Sequence, residues 1–453
     1  MNKIKISFFT ILIAISSSIA QTNPAITSWL QNTTNTGFYY ISGNSTPISH
    51  GILVNCQQVR YSTNWVYVNA TGMPAYNVGP YLDGNPNQAG NQNAIFKLPL
   101  SPTENTGVKT ATQGGNIGIF VNGVAMFDYR DGVAWNSTNN SLCGGPGNPP
   151  CNGTAYWNRD AVVAERRGFD CAKGHPAGTN YHHHQNPSAF DLDINVVSTI
   201  CNLYDADGLY TINPTQHSPL IGFSYDGFPV YGAFGYANAD GTGGITRIKS
   251  GYQLRNITVR THYADGTDVP DGPAVSTTYP LGYFREDYEW IAHSTDASYL
   301  DIHNGRFCVT PEYPNGIYCY FATVDANHNS TYPYLIGPTY FGNKTGTKVT
   351  TVSEPTTVFN NVLSISNDYF SNLNINIFPN PSSDFIAIQL SGINVQDIDL
   401  KLFDEQGKLI QQSKIYKGQT INYFDTQTLY SGTYFIQFTT ENNTTIKKVT
   451  ITK

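Results

Sequence analysis

Short runs of alternating apolar and polar residues, broken by Gly, Asn, Pro or Thr, extend through most of this chain. A period of two is the pattern of a half-buried strand, and few long helical patterns compete with it. Trp65-Val66-Tyr67-Val68 is one such run, and residues 21–110 are expected to hold the first strands of a main domain. In residues 117–129, Asn122-Gly123 stands between two apolar runs. That dipeptide predicts a tight hairpin with φ > 0 at both turn positions. Asp226-Gly227 does the same in residues 217–232, with Pro229 at a sheet edge or at the start of its strand. Residues 158–168 are the exception and predict a short helix, with Asn158 as its cap and Gly168 as its stop.

The strand pattern repeats itself. Phe169-Asp170-Cys171-Ala172-Lys173-Gly174-His175 matches Leu300-Asp301-Ile302-His303-Asn304-Gly305-Arg306. Tyr181-His182-His183-His184 after Gly178 then matches Tyr318-Cys319-Tyr320-Phe321 after Gly316, and Leu220-Ile221-Gly222 matches Leu335-Ile336-Gly337. Matched elements in the same order predict a pseudo-duplicated β-domain. Residues 343–372 are polar and read as a linker. Beyond them, Ile386–Leu390 and Leu400–Phe403 alternate again, and residues 373–453 fit a small β-sandwich. The fold class is therefore mostly β: a pseudo-duplicated main domain at 21–342 and a small C-terminal sandwich.

Composition places this fold outside the cell. Charged residues make up 13% of the 453 residues, about half the usual share, and 31 are Tyr. The net charge is −7 and no dense Lys/Arg stripe appears, which argues against nucleic acid as a partner. Lys3 and Lys5 precede an apolar run at Ile6–Ile15, and Ser18-Ile19-Ala20 offers small residues before Gln21. Residues 1–20 therefore read as a secretory signal peptide, too short to span a bilayer, and no later stretch is apolar enough to do so. Seven cysteines fit an oxidising compartment. Cys143 could pair with Cys151, Cys308 with Cys319 and Cys171 with Cys201, which would leave Cys56 alone, but the sequence does not fix the connectivity. No C-x-x-C spacing supports the rival zinc–thiolate reading.

The chemistry concentrates in one tract. In an extended segment His182 and His184 share a face and His183 points the other way. Two imidazoles two residues apart supply half of a four-coordinate metal site. His217 is the first choice for a third ligand, because it follows the tract and opens the next hairpin; His175 and His303 are the alternates. A divalent ion such as zinc or copper is the expected cofactor. Asp170 or Asp301 is expected to orient an imidazole. Asp301, Glu312 and Asp226 are candidate acid–base groups, each rivalled by a plain turn or capping role. Arg306 fits an anionic substrate group or, more simply, a pair with Asp301. Asp205-Ala206-Asp207-Gly208 lacks the later Glu of a calcium loop and reads as a turn.

Two families share these motifs. Residues 110–342 resemble the YHYH domain family, through Tyr181–His184 with Pro187, His217-Ser218-Pro219-Leu220-Ile221-Gly222, Asp226–Gly232, Asn304-Gly305-Arg306-Phe307 and Thr310–Gly316. His183 departs from the family's Tyr. The resemblance brings no assigned reaction. The C-terminal region resembles the type A sorting domain of the type IX secretion system of Bacteroidota. It does so through Phe378-Pro379-Asn380-Pro381, Leu402-Phe403-Asp404, Gly407-Lys408, Ser431-Gly432-Thr433-Tyr434 and Lys447-Lys448-Val449. That resemblance implies the secretion machinery as a partner and a secreted or cell-surface location. Two functions follow as expectations. One is a secreted metalloprotein, an enzyme on an extracellular polymer such as a polysaccharide. The other is a non-catalytic surface module that binds glycan or protein, its histidines being structural.

Overall fold

The computed structural model describes residues 23–44, 46–83, 87–153, 155–189, 208–359, 373–391, 396–440 and 444–453. Two compact units divide the chain at Phe359/Asn360.

The centre of the first unit is an eight-stranded sheet. Its strands are β1 (Asn116–Phe120), β2 (Ala125–Phe127), β3 (His175–Ala177), β4 (Asn180–His183), β5 (Leu220–Ser224), β6 (Pro229–Tyr231), β7 (Gly305–Cys308) and β8 (Ile317–Phe321). They lie in the order β3-β4-β2-β1-β5-β6-β8-β7, so the two halves read identically from the outside in. β1 and β5 pair antiparallel with Gly222 opposite Phe120 and Ser224 opposite Gly118, which places a pseudo-twofold axis at the Phe223/Ile119 pair. Inner strands β5 and β6 are buried along their whole length, which explains why they read as continuous apolar runs rather than as an alternation.

The duplication extends to single hydrogen bonds. Phe120 N donates to Val124 O at 2.9 Å and Ser224 N to Phe228 O at 3.0 Å, closing the two equivalent hairpins. Gly123 (φ 81°) and Gly227 (φ 88°) take the left-handed position, while Asn122 and Asp226 do not. These are therefore three-residue loops ending in a left-handed Gly, and the expected turn with two positive φ values is not formed. In the outer hairpins, Tyr181 OH donates to Asp170 at 2.8 Å and Tyr318 OH to Asp301 at 2.9 Å. Gly174 and Gly305 lie under those hydroxyls, where a Cβ would collide. One expected match does not hold. Leu220–Gly222 lies in β5, equivalent to Asn116–Gly118, whereas Leu335–Gly337 forms no strand. Pro229 opens its strand, but in the middle of the sheet rather than at an edge.

The short helix is Ala161–Glu165, and its cap is Asp160, which accepts from Val162 N at 2.8 Å and Val163 N at 3.2 Å. Asn158 sits in the preceding strand, Trp157–Asp160. A separate five-stranded sheet contains Cys56–Tyr61, Trp65–Ala70 and Ala94–Pro99. Thr347–Val349 and Thr357–Val358 add its edges, so residues 343–359 belong to the first unit instead of a linker.

The second unit has a three-stranded sheet (Asn374–Phe378, Phe385–Ser391, Ile421–Asp425) and a four-stranded one (Ile398–Phe403, Leu409–Ile415, Gly432–Thr439, Thr444–Ile451). Ile386, Ile388 and Phe424 from the first meet Leu400, Leu402, Ile436 and Phe438 from the second in one core, the arrangement of a sandwich.

Cys143 and Cys151 form a disulfide. Cys171 is disulfide-bonded, and Cys201, its expected partner, lies outside the described residues, as does most of the Asp205–Gly208 turn. Cys308 and Cys319 are buried free thiols, contrary to the expected pairing, and Cys56 is free and buried as well. Among the described residues no helix is long and apolar enough to cross a membrane.

Candidate metal centre

His175 opens β3 and stands directly opposite His182 in β4, across a hairpin that turns at Gly178 (φ 60°). His184 lies just past the end of β4, on the same face as His182. The three residues are 5%, 1% and 3% exposed. Each offers a ligand nitrogen, and these nitrogens all lie within 4.8 Å of one another. Among the described residues this is the group of His, Cys, Asp and Glu side chains that could hold one ion.

Backbone carbonyls fix the tautomers. His182 Nδ1 is 2.9 Å from Asn180 O, and His184 Nδ1 bonds to Asp128 O. A carbonyl accepts only, so both Nδ1 atoms carry the proton and both Nε2 lone pairs point away from it. Those two Nε2 atoms face each other at 3.0 Å. Two lone pairs at that distance repel unless a proton or a cation lies between them. Around a tetrahedral ion with bonds of about 2.0–2.1 Å, ligand nitrogens sit about 3.3 Å apart, so the pair needs little adjustment to chelate. Phe127 stacks on His182 with ring centroids 3.7 Å apart and holds the ring in place.

Glu165, the last residue of the short helix, completes the cluster. Its Oε2 is 3.3 Å from His175 Nε2 and 3.2 Å from His184 Nε2. Neither Glu165 Oε2 nor His175 Nε2 is aligned for a hydrogen bond. Burial opposes the charged carboxylate, yet the two imidazoles hold Glu165 well below the usual carboxylate range. Burial also opposes the imidazolium of His184, but Glu165 outweighs it and holds that ring above its ordinary value. His182 is pushed well below, first by burial and then by His175 and His184. The cluster opens into a cleft of about 660 Å³ whose walls include Asp83, Phe127, Arg130 and Asp131.

The other expected residues are elsewhere. His217 does not join the cluster; its Nδ1 is 2.7 Å from Ser218 O and its ring packs on Tyr231 and Tyr236. His303 Nδ1 lies 2.7 Å from Thr339 Oγ1 and 3.1 Å from Thr339 O. Asp170 and Asp301 receive tyrosine and backbone donors and orient no imidazole of the cluster. Asp226 is held by Ser224, Tyr320 OH and Gly342 N. Glu312 accepts from Tyr231 OH at 2.8 Å and lines a different cavity. Arg306 donates to the carbonyls of Tyr236, Ala237 and Ala297 rather than to Asp301. His183 faces away, 2.6 Å from Tyr76 OH. Glu165 and Phe127 carry no motif that singles them out. His175 does: a two-residue turn at Gly178-Thr179 sets Ala177 against Asn180, and hence His175 against His182.

Fold and cluster together define a duplicated β-protein with a buried three-histidine centre, followed by a β-sandwich. The family model for YHYH proteins matches residues 95–332, more than half of the chain, and the chain belongs to that family. Residues 376–452 match the secretion system C-terminal sorting domain, which indicates export to the cell surface or beyond by way of the secretion machinery. No curated protein matches the chain. Among solved structures, the fn3 domain of human collagen alpha-1(XX) chain is 15% identical, over 20% of this chain and 86% of that one. Its TM-score of 0.16 carries no argument.

Proposed function

We propose that this chain is an exported metal-binding protein whose centre is His175, His182 and His184, with Glu165 as the adjacent carboxylate and one zinc or copper ion as the ligand. The observation that carries this reading is the pair of tautomer-locked Nε2 atoms facing each other at 3.0 Å. Imidazole donors suit zinc and copper, and carbonyl acceptors on the outer nitrogens raise ligand basicity. The cleft beside the cluster gives a small ligand access to the ion.

An enzyme on an extracellular polymer needs an acid or base beside the ion. Glu165 is the carboxylate in that position, whereas Asp226, Asp301 and Glu312 are engaged elsewhere. Catalysis and a glycan partner are the finer parts of this proposal, and metal binding does not depend on either. The alternative is a surface module with structural histidines, which requires no ion.

Elemental analysis of the purified protein, beside a His182→Ala/His184→Ala variant, tests the reading. About one equivalent of zinc or copper in the parent and none in the variant supports it. No metal in either, with no uptake from a metal-containing buffer, rejects it in favour of structural histidines.

A further inference from the structure

Cys143 and Cys151 enclose Gly-Gly-Pro-Gly-Asn-Pro-Pro, a segment with no charged side chain and with three glycines at positive φ. The disulfide closes it into a ring. Inside the ring, Gly144 N donates to Pro149 O at 2.8 Å. The ring packs closely on the strand Arg130–Asn136. A Cβ on Gly144 would come within 2.4 Å of Gly132 O, and one on Gly145 within 2.6 Å of Val133 Cγ2.

That contact joins the ring to the histidine centre. The strand Arg130–Asn136 pairs with Ser141–Cys143, which leads into the ring, and with Trp157–Asp160. Asp160 caps the helix that delivers Glu165. Arg130, Asp131 and Gly132 of the shared strand line the cleft beside the three histidines, and so does Pro146 of the ring. Pro146 is exposed.

We propose that the disulfide-closed ring 143–151 is a fixed wall of the metal cleft and limits the size of the molecule that reaches the ion. The inference rests on the proposed metal centre and concerns access to it. Pro146 supplies the bulk of the wall and the disulfide its rigidity. Without the bond the segment is a glycine-rich loop, and its open forms regain the entropy that ring closure removes. Local opening then exposes the cleft without unfolding the sheet. No residue of the ring belongs to the histidine cluster, so the equilibrium affinity for the ion stays the same and the route to it changes.

The test uses the full chain, loaded with zinc and assayed first for metal content. Zinc loss is then followed in excess dipicolinate, a small flat chelator, and in excess EDTA, a bulkier one. In Pro146→Trp, loss to EDTA is expected to slow several-fold while loss to dipicolinate changes little. In Cys143→Ser/Cys151→Ser, loss to EDTA should quicken by about tenfold or more, with a smaller effect for dipicolinate. Hydrogen exchange at the Gly144 amide should quicken with it. Pro146→Gly keeps the disulfide and alters only an exposed residue, so it should shift EDTA in the same direction even where the double serine variant fails to fold. A parent that holds no zinc overturns the metal centre and this inference with it. A zinc-loaded parent whose variants lose metal at unchanged rates, or change equally for both chelators, overturns the wall alone and leaves the metal centre standing.

Discussion

Replacing His182 by Ala separates the metal from the fold. The ring stacks on Phe127 and bonds Asn180 O, and its Nε2 faces His184 Nε2. In metal-free protein the lost stacking costs about 0.5–1.5 kcal/mol and the lost carbonyl bond about 1 kcal/mol. Together these put the net cost at about 2 kcal/mol. With metal the arithmetic changes. An ion present at about 100 times its Kd adds about 2.7 kcal/mol to the parent, and a variant with one ligand fewer loses that increment. The gap between the two proteins should therefore widen from about 2 to nearly 5 kcal/mol. For a unit of this size roughly 1.4 °C corresponds to 1 kcal/mol, so zinc or copper should raise the Tm of the parent by about 4 °C and that of the variant by almost nothing. Differential scanning calorimetry in chelator and in excess metal measures both. His183→Ala is the control: it removes a ring from the opposite face, so it should lower the Tm yet keep the metal-induced rise. A parent whose Tm is the same in chelator and in metal, or a His182→Ala protein that gains as much as the parent, refutes the reasoning.

Other outcomes follow from the same geometry. Glu165→Gln should weaken metal binding by about 10–100-fold by calorimetric titration, since it removes the charge beside the ligands. Protons compete with the ion at His184, so affinity in the parent should fall by about tenfold per pH unit below the raised value of that ring; Glu165→Gln should move the onset to lower pH. An onset unchanged by the substitution would rule out Glu165 as the cause. Burial pushes Asp160 up to about 7 despite its bonds from Tyr334, Val163 and Val162. Its folded value lies above its unfolded value, so its contribution is full below about pH 4 and is lost as pH rises to about 7, at about 1.4 kcal/mol per unit. Asp160→Asn keeps a capping side chain and should make that slope shallower by this amount in denaturant titrations from about pH 4 to 8. Tyr181→Phe and Tyr318→Phe each delete one equivalent bond to Asp170 or Asp301, and each should cost about 1–2 kcal/mol, additively in the double variant.

Much of this was written in the chain, because short-range rules decide it. Alternation put His182 and His184 on one face and His183 on the other, and the Asn-Gly and Asp-Gly signals marked two real hairpins. The repeat was legible where hydrogen-bonding residues recur, as in Asp170/Tyr181 and Asp301/Tyr318. It failed at Leu335–Gly337, where likeness of composition stood in for likeness of place. Nearness in sequence favoured His217 as the neighbour of the pair, whereas pairing across a tight turn brings His175 there. Glu165 is a tertiary neighbour delivered by a five-residue helix, and no local pattern reports it. The edge strands at 347–349 and 357–358 are polar and exposed, so they read as linker although the ladder recruits them.

The second repeat shows what the first one lacks. By register, Arg306 holds the place of His175, Cys319 that of His182 and Phe321 that of His184. The Arg306 guanidinium lies 5.5 Å from the centre of the Phe321 ring, and its two terminal nitrogens donate to backbone carbonyls. A fixed cation thus fills the hollow between the outer hairpin and its neighbouring strand. In the first repeat the corresponding place is walled by three imidazoles and a carboxylate held well below its usual range, and Arg130 lines the cleft beside them. On the proposed reading a positive charge stands at both places. In one it is covalently part of the chain; in the other, on the proposed reading, it is an ion that the exported protein must acquire.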